Sequence, residues 1–466
     1  MRQLLDHLNQ LSQGSKDRLV LETTLATYLE QELQVVDQRA TETVPEGLQA
    51  MVAWGSSLSQ DDFYRQLGEA LARSGRIELP ELELSGAHSL TWRDATWLLL
   101  RHQRFGEVAV LQRNFSCEGV LFADQHCFLI RREGRAQQVV LQQMLRNVLL
   151  RQDAITTYLN SKPRFGGINF TFPNPFHTIN YGHTALYRLA QDPLLLRTTA
   201  WVDRACAWFD PSVAFPTVVA DVQPVPLPCT TFLELTMSEP LLLFKPGHVY
   251  RNHEEPLNRQ VELSLLAASG AARPKANDGF RLWLGLTSGK RALVNEIPLM
   301  VALVELLVQQ RQLQEVVIDG WTGSSMQGTT ENETPQAYQS HGAEFEAMRA
   351  AIQARAPEVT VTSLIGRSYE QKLVEALRCR FFCTSAYTAS ILPSRFCAME
   401  GVVHTSNRGL PHLRMHIHRR ASFVPPALVE DEAFEEDLHP LDTSYRIPLE
   451  PFLSWVQKQV LHRPTP

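Results

Sequence analysis

Three short stretches carry residues suited to holding an anion, and each follows an apolar run. Ser288-Gly289-Lys290-Arg291 comes after the run 280–286 and precedes a helical stripe. Backbone N–H groups and the helix dipole attract negative charge at such a junction, and Lys290 and Arg291 add fixed positive charge. Gly366-Arg367-Ser368 is a second glycine-plus-arginine turn ahead of a helix, and Thr384-Ser385-Ala386-Tyr387-Thr388 supplies hydroxyls and amides after a buried run. Ser288, Lys290, Arg291, Arg367, Ser385, Tyr387 and Thr388 are therefore the candidate phosphate-side residues, and Glu400 is a carboxylate suited to accept two ribose hydroxyls. None of the loops matches GxxxxGK[ST] or GxGxxG, which argues against the familiar ATP and NAD sites.

A second kind of chemistry is suggested by 165–189, where glycines and prolines frame His177, Asn180 and His183. Imidazole titrates near neutrality, so a positioned histidine here can take the proton of a substrate hydroxyl. The competing role for either histidine is capping and packing. Four more histidines crowd 404–418, but their spacing fits no HExxH or comparable signature, and no metal ligation is expected.

The elements that must position these residues are clearest in 280–321. A buried strand at 280–286 is followed by a helix over 293–310, with Leu293, Ile297, Met300, Val301, Val304 and Leu307 forming one stripe, and by a strand at 316–318. That is a βαβ unit, with parallel strands and ligands expected at their carboxyl ends. Further strands at 359–361, 380–383 and 402–404, alternating with helices at 344–354 and 369–377, extend it into a doubly wound sheet. Ser368 is placed to cap the last of these helices. The polar stretch 323–342 reads as a mobile loop over the site.

Upstream, 4–84 reads as helices, 108–130 as short strands, and 137–150 as a helix. Runs at 218–222, 232–235 and 241–244 read as strands, and 260–268 fits a strand or a short helix. The punctuated stretch 271–279 marks the main boundary. The expected organisation is a helical region at 1–88, an α/β domain at 89–275, a Rossmann-like domain at 276–425, and a tail with a final helix at 426–466.

With 466 residues the chain has room for two or three cores. A net charge of −6 with scattered basic residues gives no stripe for nucleic acid. Seven cysteines lack CxxC spacing and fit a reduced, cytoplasmic protein. No secretory leader and no run of eighteen or more apolar residues stands out, so no transmembrane segment is expected.

Taken together, LWLGLTSGKRALVNE, VVIDGW, SLIGRSYEQKLVEALRCRFFCTSAYTAS and GVVHTSNRG, with NYGHTALYRL upstream, resemble bacterial glycosyltransferases of the two-Rossmann (GT-B) type, and are similar to proteins related to glycosyltransferase family 61. The resemblance implies a nucleotide-sugar donor as co-substrate with no other cofactor, and a glycan or glycoprotein acceptor. It also implies His183 or His177 as the base in the amino-terminal domain, and metal-independent transfer in which Lys290, Arg291 and the 384–388 loop neutralise the leaving diphosphate. Homo-oligomerisation is left open. Where such proteins often carry a His-Gly-Ala-like turn, this chain has Thr384-Ser385-Ala386. The alternative is accordingly a catalytically inactive relative that serves as a binding or assembly module. A hydrolase on the same sheet is disfavoured, because no GxSxG elbow is present.

Overall fold

The protein is described here from a computed structural model covering residues 1–37, 44, 46–58, 60–114, 117–131, 134–172, 174–191, 197–203, 206–225, 232–247, 256–270, 279–287, 292–323, 336–432 and 442–461. The chain is α/β and divides into two compact units. One comprises Met1–Pro173, His177–Cys206 and Asp210–Tyr250, and the other Asn174–Phe176, Ala207–Phe209 and Arg251–Pro466.

In the first unit, β1 (Gln34–Asp37), β2 (Ile77–Leu79), β3 (Leu84–Trp92), β4 (Ala95–His102), β5 (Gly106–Gln112), β6 (Gly119–Phe122) and β7 (Cys127–Ile130) form one sheet. Its order is β1-β7-β6-β5-β4-β3-β2, antiparallel from β2 to β7, with β1 parallel on β7. Leu90, Trp97, Leu111, Leu121 and Phe128 share a core with Leu4, Leu5 and Leu8 of the helix Arg2–Leu11 and with Met144 and Leu145 of Gly134–Leu150. The first 88 residues are thus not purely helical. They contribute β1, β2 and part of β3, and their helices cover the sheet, because strands this short carry too little alternation to be told from helix ends.

A second sheet of the same unit contains β8 (Arg164–Asn169), β9 (Thr198–Val202), β10 (Val219–Pro224) and β11 (Leu241–Phe244), all parallel in the order β10-β9-β8-β11. Between β10 and β11 the chain is helical over Phe232–Ser238, where the apolar run 232–235 suggested a strand. Leu233, Leu235 and Thr236 are all fully buried, and a short run buried all round has no period that distinguishes the two states. The ambiguous stretch 260–268 is also helical, within Pro256–Ala268. That helix belongs to the second unit, where the fully buried Arg395 holds its Glu262 through Nη2 at 2.6 Å, so the division between units precedes residue 256 rather than 276.

The second unit is built on β12 (Phe280–Gly285), β13 (Leu313–Asp319), β14 (Thr360–Ser363), β15 (Phe381–Ser385), β16 (Glu400–His404) and β17 (Ala421–Phe423). All are parallel, in the order β14-β13-β12-β15-β16-β17. Counted along the chain this is 3-2-1-4-5-6, the order of a doubly wound Rossmann sheet. Both faces are covered, which is why Leu282-Trp283-Leu284 and Val316-Val317-Ile318 read as continuous apolar runs. Leu282, Leu284, Val316 and Ile318 pack with Leu299, Leu303 and Leu307 of Glu296–Arg311, with Met348 of Gln336–Arg355, and with Phe452 of Leu449–Trp455. The expected helix at 293–310 begins at Glu296, because Leu293 bridges to Tyr445 and the Asn295 side chain bonds both backbone groups of Ile447. Ser368 caps Tyr369–Arg378 in a full capping box with Gln371. Of the supposed mobile loop, 324–335 lie outside the described residues, and Gln336–Arg355 is a helix. No helix among the described residues is long and apolar enough to cross a membrane.

Candidate functional site

In a sheet of this order the chain leaves β12 toward β13 on one side and returns as β15 on the other, so the two following loops diverge and leave a crevice beyond the carboxyl ends. A cavity of about 210 Å³ lies there. Leu286 and Thr287 reach it from β12, Asp319, Gly320 and Thr322 from β13, and Ser385, Tyr387 and Thr388 from β15. Gly285 makes the approach of these segments possible. A Cβ at that position would overlap Thr384 Oγ1 and come within 3.2 Å of Ala389 Cβ. Gly320 does the same for the roof, since its Cβ would lie 2.8 Å from Nδ1 of His341, another cavity residue.

Asp319 lines the cavity and Glu296 lies behind its lining residue Thr287, and both acids have their charge cancelled. Asp319, at the end of β13, lies 2.6 Å from the ammonium of Lys372, which is fully buried. Lys372 Nζ also donates to Gly320 O at 3.0 Å, Trp321 O at 3.2 Å and Thr322 Oγ1 at 2.9 Å, so one cation fastens the three residues that follow β13. Burial pushes the Lys372 pKa down, and Asp319 opposes that shift. Glu296 accepts from Thr287 N at 2.8 Å and Thr287 Oγ1 at 2.6 Å, while Leu293 N donates to the same hydroxyl at 3.1 Å. Burial raises the Glu296 pKa to about 8, outweighing the two hydrogen bonds, so near pH 7 the carboxyl is mostly neutral. The cavity therefore presents hydroxyls, an imidazole and backbone groups, with no net carboxylate charge beneath them. Such a surface offers hydrogen bonds to a polar ligand and sets no uncancelled carboxylate against an anionic one.

The candidate residues named from sequence fall into distinct places. Ser385, Tyr387 and Thr388 line the cavity. Ser288, Lys290 and Arg291 lie outside the described residues, although their neighbour Thr287 is a cavity residue. Arg367 follows β14 on the same edge, but its side chain is 41% exposed and faces Glu375 at 3.9 Å. Glu400 begins β16 and pairs with Phe381, whereas His404 at the other end pairs with Ser385. It is thus at the amino edge of the sheet, opposite the cavity, and cannot reach a ribose there.

In the first unit the helical chain runs without a loop from His177 to Ala190, through both candidate bases. His183 is completely buried, with its ring 5.1 Å from Phe170 and 5.6 Å from Phe215, and burial drives its pKa down to about 3. It is a core residue. His177 is only half-buried, beside Tyr181 at 5.1 Å, and its pKa is pushed down to about 4 by burial and by the charges of Arg113 and Lys245, against Asp94. Of the two it alone has a solvent-facing side, and near neutrality it is an uncharged proton acceptor.

Lys245 was not singled out from sequence. It directly follows β11, and its ammonium donates to Thr171 O, two residues past β8, while sitting 3.8 Å above the Phe172 ring. Since β8 and β11 are adjacent in a 3-2-1-4 sheet, this is the switch point of the first unit. Lys245 is fully buried and its pKa is pulled down to about 7, chiefly by desolvation. The visible signal was a lone lysine ending the run Leu241-Leu242-Leu243-Phe244. A search against protein-family models gives no match, and no curated protein matches the chain.

Proposed function

We propose that the protein is a glycosyltransferase of the GT-B class that moves a sugar from a nucleotide-sugar donor to a hydroxyl of a glycan or protein acceptor. The observation that carries this reading is the charge-cancelled, hydroxyl-lined cavity at the switch point between β12 and β15. Two parallel sheets in one chain, ordered 3-2-1-4 and 3-2-1-4-5-6, support the class. In dinucleotide-binding Rossmann units an acid near the end of the second strand takes the ribose hydroxyls. Here that acid is Asp319, which is committed to Lys372, and this favours a sugar nucleotide over NAD.

In this reading Ser385, Tyr387, Thr388 and the amides around them hold the diphosphate, and Lys290 and Arg291, which follow Thr287 in sequence, neutralise charge as it grows on the leaving group. Cationic side chains in that role make a metal ion unnecessary for the transfer. His177 is the base for the acceptor hydroxyl. The test is thermal stabilisation by a panel of sugar nucleotides, followed by transfer and hydrolysis assays, because a ligand that binds only the folded state raises Tm. A second reading, a binding module without turnover, is favoured by one observation. Among the described cavity residues no lysine or arginine is present, and Lys372 is already paired. Binding without hydrolysis or transfer to any acceptor would select it.

A further inference from the structure

Away from both switch points, the first unit gathers two imidazoles and a carboxylate from three separate segments. His7 lies on the helix Arg2–Leu11, Glu32 ends the helical segment Tyr28–Glu32, and His126 follows the turn Ala123–Gln125 between β6 and β7. One ligand-capable atom of each lies within 4.8 Å of the other two. His7 Nε2 is 2.5 Å from Glu32 Oε2, and the His7 and His126 rings are 4.7 Å apart between centroids. His126 has φ 48, a left-handed conformation that few residues other than glycine adopt, and strain of this kind is retained where surrounding structure holds a side chain in place. The hydroxyl of fully buried Tyr28 stands 3.3 Å from His126 Nδ1 and orients the ring, as outer partners of metal-binding histidines do.

We propose that His7, Glu32 and His126 bind a divalent transition-metal ion of the zinc class, with water completing the coordination, and that the ion pins the first helices to the sheet. Two imidazole nitrogens and one carboxylate oxygen suit Zn2+, Co2+ or Ni2+, whereas Mg2+ and Ca2+ prefer all-oxygen sites. Metal bonds of about 2.0–2.1 Å in a tetrahedron set ligand atoms roughly 3.4 Å apart, so the His7–Glu32 contact widens and the third ligand closes in. The side chains of His7 and Glu32, 31% and 32% exposed, have the freedom to make that adjustment and leave room for water. The ion would join segments distant in sequence, which is where a crosslink constrains the unfolded chain most. This site is independent of the proposed transfer reaction.

The experiment strips the full-length protein with chelator and titrates Zn2+ by calorimetry, Co2+ by visible absorption, and Mg2+ as control. Fifteen histidines and seven cysteines offer adventitious sites elsewhere, so variants decide the outcome. His126→Asn keeps a residue tolerant of the left-handed turn, and His7→Gln keeps a hydrogen-bonding partner for Glu32. The expected result is one equivalent of Zn2+, the intense bands of tetrahedral Co2+, a Tm that rises with Zn2+ and not with Mg2+, and an affinity at least about tenfold weaker in each variant shown folded by circular dichroism. Absence of the Co2+ bands in the wild type, or wild-type uptake by both folded variants, would overturn the assignment and leave a plain His7–Glu32 hydrogen bond.

Discussion

Lys372→Met offers the sharpest test of how the second unit holds its cavity open. The substitution keeps the length of the side chain but removes a fully buried ammonium that lies 2.6 Å from Asp319 and also holds Gly320, Trp321 and Thr322. Asp319 is left as a buried carboxylate whose remaining partner is the amide of Gly320 at 2.9 Å. Breaking one side of a buried ion pair costs about 3–5 kcal/mol, because the surviving charge stays desolvated. For a unit of this size that corresponds to a fall in Tm of roughly 6–20 °C, at about 2–4 °C per kcal/mol. Urea unfolding followed by tryptophan fluorescence measures it, with fully buried Trp283 on β12 among the second unit's reporters. Asp319→Asn should be costly in the same way, while the double variant recovers about 2 kcal/mol relative to the sum. A Lys372→Met protein within about 1 kcal/mol of wild type, or a double variant that is simply additive, would refute the reasoning, since a screened surface pair behaves that way.

Two further outcomes follow from the first unit. Lys245 has its folded pKa lowered to about 7 from 10.5, so between those values the unfolded chain binds more protons than the folded one and stability rises with pH, by at most about 1.4 kcal/mol per pH unit. Urea midpoints measured from pH 7 to 9 should climb in wild type and lose that slope in Lys245→Met; equal slopes would contradict the burial of the ammonium. His177→Ala should abolish sugar transfer while costing little stability. His183→Ala should instead destabilise by about 2–4 kcal/mol through the cavity it leaves beside Phe170 and Phe215, and the reverse pattern would exchange their roles.

The sequence made the second unit legible because its strands are buried on both faces. Runs such as Leu282-Trp283-Leu284 announce themselves without any alternation, and the Ser385–Thr388 loop falls on the expected edge once all the strands are parallel. Direction along a strand is as informative as membership. Glu400 is the first residue of its strand, which puts it at the amino edge, and this follows from the same parallel arrangement. What stayed hidden depends on contacts between segments distant in the chain. Nothing local tells His183 from His177, because the difference is that Phe170 and Phe215 close over one of them. The cancelled charges of Asp319 and Glu296 likewise depend on Lys372 and on burial, and the importance of Lys245 depends on β11 lying beside β8.

Whether the β12–β15 cavity holds a sugar nucleotide is decided by calorimetric titration of wild type and Gly285→Val with the ligand chosen by the thermal panel. A side chain at Gly285 must displace Thr384 Oγ1 and crowd Ala389, so it distorts the mouth of the cavity. The expected result is saturable one-to-one binding to wild type and at least tenfold weaker binding to a folded Gly285→Val, a loss of about 1.4 kcal/mol or more. Equal affinity in the two proteins, or a folded wild type that binds no sugar nucleotide at all, would contradict it.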